Sequence, residues 1–167
     1  MNHPDRLIDR FTRQLPPGRL EWIGLRSERR GAVRVVDSVR ALAGLGLEGD
    51  RRCAGSPGSA RQVTLISREY IGQIAHFLGR QTIEPQLLRR NLLVSGVNLS
   101  ALRHQRFRIG EAEFEATAWC HPCSRMEAVL GPGGVAAMLG HGGLCARVLR
   151  SGTIRCGDAL VKLASES

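Results

Sequence analysis

Lysine is almost missing from this chain: of its 24 basic side chains, all but Lys162 are arginine. Covalent pyridoxal phosphate chemistry needs a Schiff-base lysine. Lys162 falls in an alternating segment near the end of the sequence, where a solvent-facing strand residue is expected. The chain alone is therefore not read as a pyridoxal phosphate enzyme. Aromatic residues are also scarce, at 4%, which argues against a base-stacking platform for nucleic acid. No apolar run approaches the roughly 20 residues that cross a bilayer, so no membrane partner is expected. Asp5, Arg6, Asp9 and Arg10 interrupt the region where a secretory leader would be apolar. The expected location is cytoplasmic. Cysteine occurs five times, at positions 53, 120, 123, 145 and 156. An odd set without a leader argues against a disulfide framework and for free thiols.

What is present describes an ordinary globular chain. The 167 residues are 43% hydrophobic and 23% charged, enough for one domain with a sizeable core. Residues 1–18 read as an N-terminal extension, 19–164 as a single domain and 165–167 as a tail. The net charge of +9 admits a basic module for nucleic acid or acidic partners, although the arginines are scattered. Arginine also pairs with phosphate through a planar fork.

The hydrophobic pattern is one of short strands with a few helices. Leu7, Ile8, Phe11 and Leu15 stand at helical spacing before Pro16-Pro17-Gly18. Residues 20–25 and 32–39 read as strands, 44–61 as a long glycine-rich loop and 62–66 as a buried strand. Ser67 is placed to cap a helix with an apolar stripe of Tyr70, Ile71, Ile74, Ala75 and Leu78, ending at Gly79. Residues 85–90 suggest one helical turn and 92–94 a strand. A hairpin is expected over 107–117, with Ala112, Phe114 and Ala116 alternating against polar neighbours. Ser124 and Glu127 stand at capping-box spacing, so a helix is expected after Cys123, then a second over 135–139. Residues 144–149 and 159–163 complete the strands. The fold class is mainly β: a barrel with two to four short helices attached.

The segment Trp119-Cys120-His121-Pro122-Cys123-Ser124-Arg125-Met126-Glu127 admits three chemistries. Zinc would need more ligands than one close cysteine pair provides. A thiol–disulfide oxidoreductase or persulfide carrier would use Cys120 and Cys123, because Trp-Cys-x-Pro-Cys is the thioredoxin-like string. That string normally opens a long helix early in a βαβ unit, whereas here it follows a hairpin in the last third of the chain. A metal-bound thiolate is the third reading: a cysteine ringed by arginines and glycine turns suits a soft metal carried on an anionic organic cofactor.

The order of motifs resembles the MOSC family, named for the C-terminal domain of molybdenum cofactor sulfurases. The stretches that carry the resemblance are Gly-Leu-Glu-Gly-Asp-Arg at 46–51, Arg-Gln-Val-Thr-Leu at 61–65 and Leu-Arg-Arg-Asn-Leu at 88–92. They continue with Ser-Gly-Val-Asn-Leu at 95–99, Phe-Arg-Ile-Gly at 107–110 and the cysteine segment itself. His-Gly-Gly-Leu at 141–144, Ala-Arg-Val-Leu at 146–149 and Gly-Thr-Ile-Arg-Cys-Gly-Asp at 152–158 close the series. The likeness is to small stand-alone bacterial members and implies a β-barrel that binds a molybdenum cofactor (molybdopterin) or carries sulfur. In enzymatic members a cysteine ligates the metal and N-hydroxylated compounds are reduced. The family's recurring cysteine follows a proline, which maps the metal ligand and catalytic thiol to Cys123, with Cys120 as an accessory thiol. The cofactor's phosphate would meet Arg61, Arg89, Arg90 and Asn91, with Gly49, Asp50, Gly142 and Gly143 shaping the cradle. The resemblance also implies a separate electron donor or sulfur-donating protein. One departure is Arg52, where many relatives have histidine, so nothing ascribed to that histidine carries over.

Overall fold

A computed structural model describes residues 9–164. Strand β1 (Gly18–Arg26) alternates apolar residues into the centre, with Leu20, Ile23 and Leu25 buried. It is followed by β2 (Val33–Val36), β3 (Ser38–Leu42) and the two-residue β4 (Gly46–Leu47). Then come β5 (Val63–Ser67), helix α1 (Arg68–Phe77) and β6 (Leu92–Ser95). The hairpin is formed by β7 (Arg106–Ile109) and β8 (Ala112–Trp119). Two short helices follow, α2 (Ser124–Leu130) and α3 (Gly134–Met138). Strands β9 (Leu144–Arg150), β10 (Gly152–Arg155) and β11 (Ala159–Lys162) end the described chain.

Seven strands close into a barrel in the order β1-β11-β7-β8-β9-β5-β6, with β6 returning to β1; β2 hangs on the outside of β1. All pairs are antiparallel except β5–β6, the parallel pair bridged by α1. A small second sheet, β10-β3-β4, is hydrogen-bonded separately and adds Val39, Ala41, Leu47 and Ile154 to the barrel's core. The fold expected from the sequence, a mainly β barrel with short helices, is the fold found.

The barrel interior is filled from every strand of the ring, with Leu65, Val94, Phe107, Phe114, Leu144 and Leu160 within 1% of full burial. Phe107 and Phe114 stack with ring centroids 5.3 Å apart. A second apolar cluster lies outside the barrel, where Ile66 and Leu93 meet Ile71 and Ile74 of α1, Met126 and Leu130 of α2 and Met138 of α3. Strand β5 is therefore covered on both faces and buried along its whole length, as a continuous apolar run implies. Among the described residues no helix is long and apolar enough to cross a membrane.

Several expectations are corrected. The strand expected over 32–39 breaks at Asp37, whose carbonyl accepts from Cys156 N at 2.9 Å, and the chain changes sheets there. The long loop at 44–61 contains β4 and a 3-10 turn, Arg51–Ala54, capped by the Asp50 side chain. Between the strands expected at 144–149 and 159–163 the structure has a further one, β10, held by pairing with β3. Ser124 does not cap α2: the N-cap is Cys123, with no side-chain cap bond. Glu127 instead accepts from Gly133 N (2.7 Å) and Val135 N (2.9 Å), tying α2 to α3. Those bonds hold its carboxyl below the usual carboxylate range. Lys162 does not face solvent: its Nζ donates to Asp9 Oδ1 at 2.8 Å and to Thr12 Oγ1 at 3.0 Å. Of the expected N-terminal helix, Leu7 and Ile8 lie outside the described residues, and residues 9–12 are helical.

Candidate functional site

The cysteine segment leaves the barrel where β8 ends. Cys120 N donates to Gly143 O at 2.9 Å, one step past the last paired residue. The chain then turns through His121 and Pro122 to Cys123, and α2 begins. Gly142 and Gly143 form the opposite wall. A Cβ on Gly142 would stand 2.2 Å from Cys120 O, and one on Gly143 would stand 1.9 Å from Leu65 O, with φ already at +94°. These glycines are required by the close approach of backbone to backbone. Between the walls lies a pocket of about 170 Å³, lined by Trp119, Cys120, His121, Pro122, Gly140, Gly142 and Gly143.

Arg90 pins both walls. It is buried, and its guanidinium donates to Gly142 O (2.9 Å), Leu88 O (3.0 Å) and Cys120 O (3.3 Å). Asn91, beside it, is fully buried in a polar brace. Its amide donates to Gly24 O and Asp50 Oδ1, both at 3.0 Å, and its oxygen accepts from Thr64 N and Arg26 Nη2, both at 3.1 Å. Asp50 is paired with Arg26 (Oδ1 to Nε 3.3 Å) and also accepts from Arg26 N and Arg52 N. Arg89 adopts a left-handed backbone (φ 54°) and turns away, donating to Gly31 O and Glu28 O. Gly49 is left-handed as well (φ +89°), at the turn that delivers Asp50.

The sequence-derived set thus divides. Arg90, Gly142 and Gly143 build the pocket. Asp50 and Asn91 belong to the buried brace, together with Arg26 and Thr64, which sequence reasoning missed. Arg61 is exposed and close enough to bias the Cys120 thiol. Arg125 stands near Arg89, whose guanidinium is held below its usual value by burial and by the charges of Arg125, Arg26 and Arg51. Arg51 has an Nε that is buried without a hydrogen-bond partner. His141 packs edge-on to Tyr70 and Phe77, with centroids at 5.4 and 5.9 Å, and its Nδ1 meets Leu139 O.

The two cysteines differ. Cys123 is exposed at the α2 N-cap, next to the pocket-lining Pro122. Cys120 is half-buried, and its thiol is pulled down to about 6. The largest cause is a hydrogen bond from Cys145, followed among the lowering influences by the charges of Arg90, Arg26 and Arg61; burial opposes them. Cys145 is pushed up by the same bond and by burial. Cys145 is buried, and the period-two alternation of β9, which sends Leu144 and Ala146 inward, is the sequence signal that it faces the other way. Among the described residues no group of three or more His, Cys, Asp or Glu side chains is placed to hold a metal.

The MOSC domain family model matches residues 50–161. The chain belongs to the MOSC domain family. Its barrel is similar to that of the YuaD protein from Bacillus subtilis, at a TM-score of 0.76 and 22% identity over 90% of this chain and 98% of that one. YiiM from Escherichia coli gives 0.68 and 22% over 89% and 71%. YiiM from Geobacillus stearothermophilus gives 0.69 and 18% over 88% and 75%. No curated protein matches the chain. Within the family model fall the cysteine segment, the glycine pair and the Arg90–Asn91 brace.

Proposed function

We propose that this MOSC protein presents the Cys123 thiolate to the molybdenum of a molybdenum cofactor, or holds a sulfur atom on it. The observation that carries the reading is an exposed soft donor next to the pocket-lining Pro122 in a MOSC barrel, at the start of the helix that carries Arg125. Thiolate suits a soft metal, and deprotonation on binding releases its proton. The donor set fits the group: Cys123 would ligate the metal, while Arg61, Arg125 and the unpartnered Nε of Arg51 would hold the phosphate. Arg89, Arg90, Asn91 and Asp50 support from within, their polar atoms being spent on the protein itself. When bound, such a cofactor supplies redox chemistry, and the family's reduction of N-hydroxylated compounds is the reaction proposed. This chain's part is to bind, to orient and to exclude water. Its electrons would come from a separate donor protein, or its sulfur from a sulfur-donating protein, in the cytoplasm.

The test is molybdenum content. Protein made in a cofactor-proficient host is expected to carry molybdenum, and Cys123→Ser to lose most of it while keeping its fold by circular dichroism. Wild type without molybdenum, or equal amounts in both, would sink the metal reading.

A further inference from the structure

Cys145 plays no part in the family resemblance, yet it lies across the strand pair from Cys120, whose thiol is pulled down to about 6. Strands β8 and β9 are antiparallel, with Ala118 opposite Cys145 and Trp119 opposite Leu144. Cys120, two residues past Ala118, is therefore a diagonal neighbour of Cys145 on one face, within side-chain reach. Each thiol is also the first influence on the other's proton, Cys145 lowering Cys120 and Cys120 raising Cys145. Their access differs: Cys120 lines the pocket, whereas Cys145 is 2% exposed beneath it. Arg90 holds the backbone on both sides, at Cys120 O and Gly142 O, so the pair is kept in register.

We propose that Cys120 and Cys145 form a reversible disulfide under the pocket, with Cys120 meeting the oxidant and Cys145 resolving it. The oxidant is a hydroperoxide, with hydrogen peroxide as the simplest case. The Cys120 thiolate attacks one peroxide oxygen, the O–O bond breaks, and the departing hydroxide takes a proton to leave as water. Cys120 is then a sulfenic acid. The Cys145 sulfur attacks the Cys120 sulfur, the S–S bond forms and the S–O bond breaks. The leaving hydroxide takes the Cys145 proton as a second water. Two thiols have lost two electrons and the peroxide has gained them. A small-molecule thiol restores the pair by exchange, becoming a disulfide itself. This pairing rests on contacts within the chain and not on the function proposed above.

The experiment oxidises reduced protein with stoichiometric hydrogen peroxide, blocks free thiols with iodoacetamide and maps tryptic peptides. Cleavage after Arg108, Arg125 and Arg147 puts Cys120 and Cys123 on one peptide and Cys145 on the next. The expected product is those two peptides linked, with the loss of two hydrogens. The link persists in Cys123→Ser and is absent in Cys145→Ala, where Cys120 stops as a dimedone-trapped sulfenic acid. A closed loop within the peptide carrying both Cys120 and Cys123, or a map without a Cys120–Cys145 link, overturns the assignment. The wild-type map decides the matter even where Cys145→Ala fails to fold. No metal is required, so the result is independent of the molybdenum measurement.

Discussion

Cys120 shows how neighbours outweigh burial. A half-buried thiol would ordinarily hold its proton more tightly, but the Cys145 S–H and the guanidiniums of Arg90, Arg26 and Arg61 favour the anion and bring it to about 6. Alkylation follows the thiolate. In Cys123→Ser protein, which leaves one cysteine on that peptide, the iodoacetamide rate at Cys120 should rise about tenfold between pH 5 and pH 7 and then level. A rate still climbing tenfold per unit above pH 7 would show an ordinary thiol. Asp50 makes the opposite point. Its side chain is fully buried against Arg26 and takes bonds from Asn91 and Arg52 as well. Removing it strands a buried guanidinium, so Asp50→Ala should cost about 3–5 kcal/mol in urea unfolding, whereas a solvated turn residue would cost well under 1 kcal/mol.

At the scale of elements, what the sequence revealed depended on the range of the interaction. Strand β5 and helix α1 were legible because their causes are local: an unbroken apolar run, then Ser67 accepting from Tyr70 N as a cap. The β7–β8 hairpin was legible from Gly110-Glu111 and from the alternation that buries Ala112, Phe114 and Ala116. The β2–β3 break and β10 were not, since both depend on partners more than 100 residues away in the chain. Ser124 misled because a capping pair has a second use: Glu127 serves the turn between α2 and α3 rather than its own helix start. The site divides in the same way. The Cys120–Cys123 segment and the Gly142–Gly143 pair could be read as strings, but Arg26, Thr64 and Cys145 join it only through folding.

For the whole molecule, the barrel core and the outer helical cluster share strands β5 and β6, whose opposite faces fill both. Neither cluster can open while the other keeps those strands in place, so one cooperative transition is expected. The two tryptophans test this. Trp119 packs on the barrel core and Trp22 on the outer cluster. Single-tryptophan variants, Trp22→Phe and Trp119→Phe, should each show a fluorescence midpoint coinciding with that of their far-ultraviolet circular dichroism. A gap between the two probes within either variant would mean that the layers unfold separately.

The contact between Lys162 and the helical turn at residues 9–12 fixes how short a working version of this protein can be made. The ammonium side chain is 6% exposed, and Asp9 and Thr12 are what it meets on the side of the incoming chain. A gene trimmed to begin at β1 would preserve every strand of the ring and yet leave a cation at its base without its counter-charge. Stable truncations of this protein therefore start ahead of Asp9.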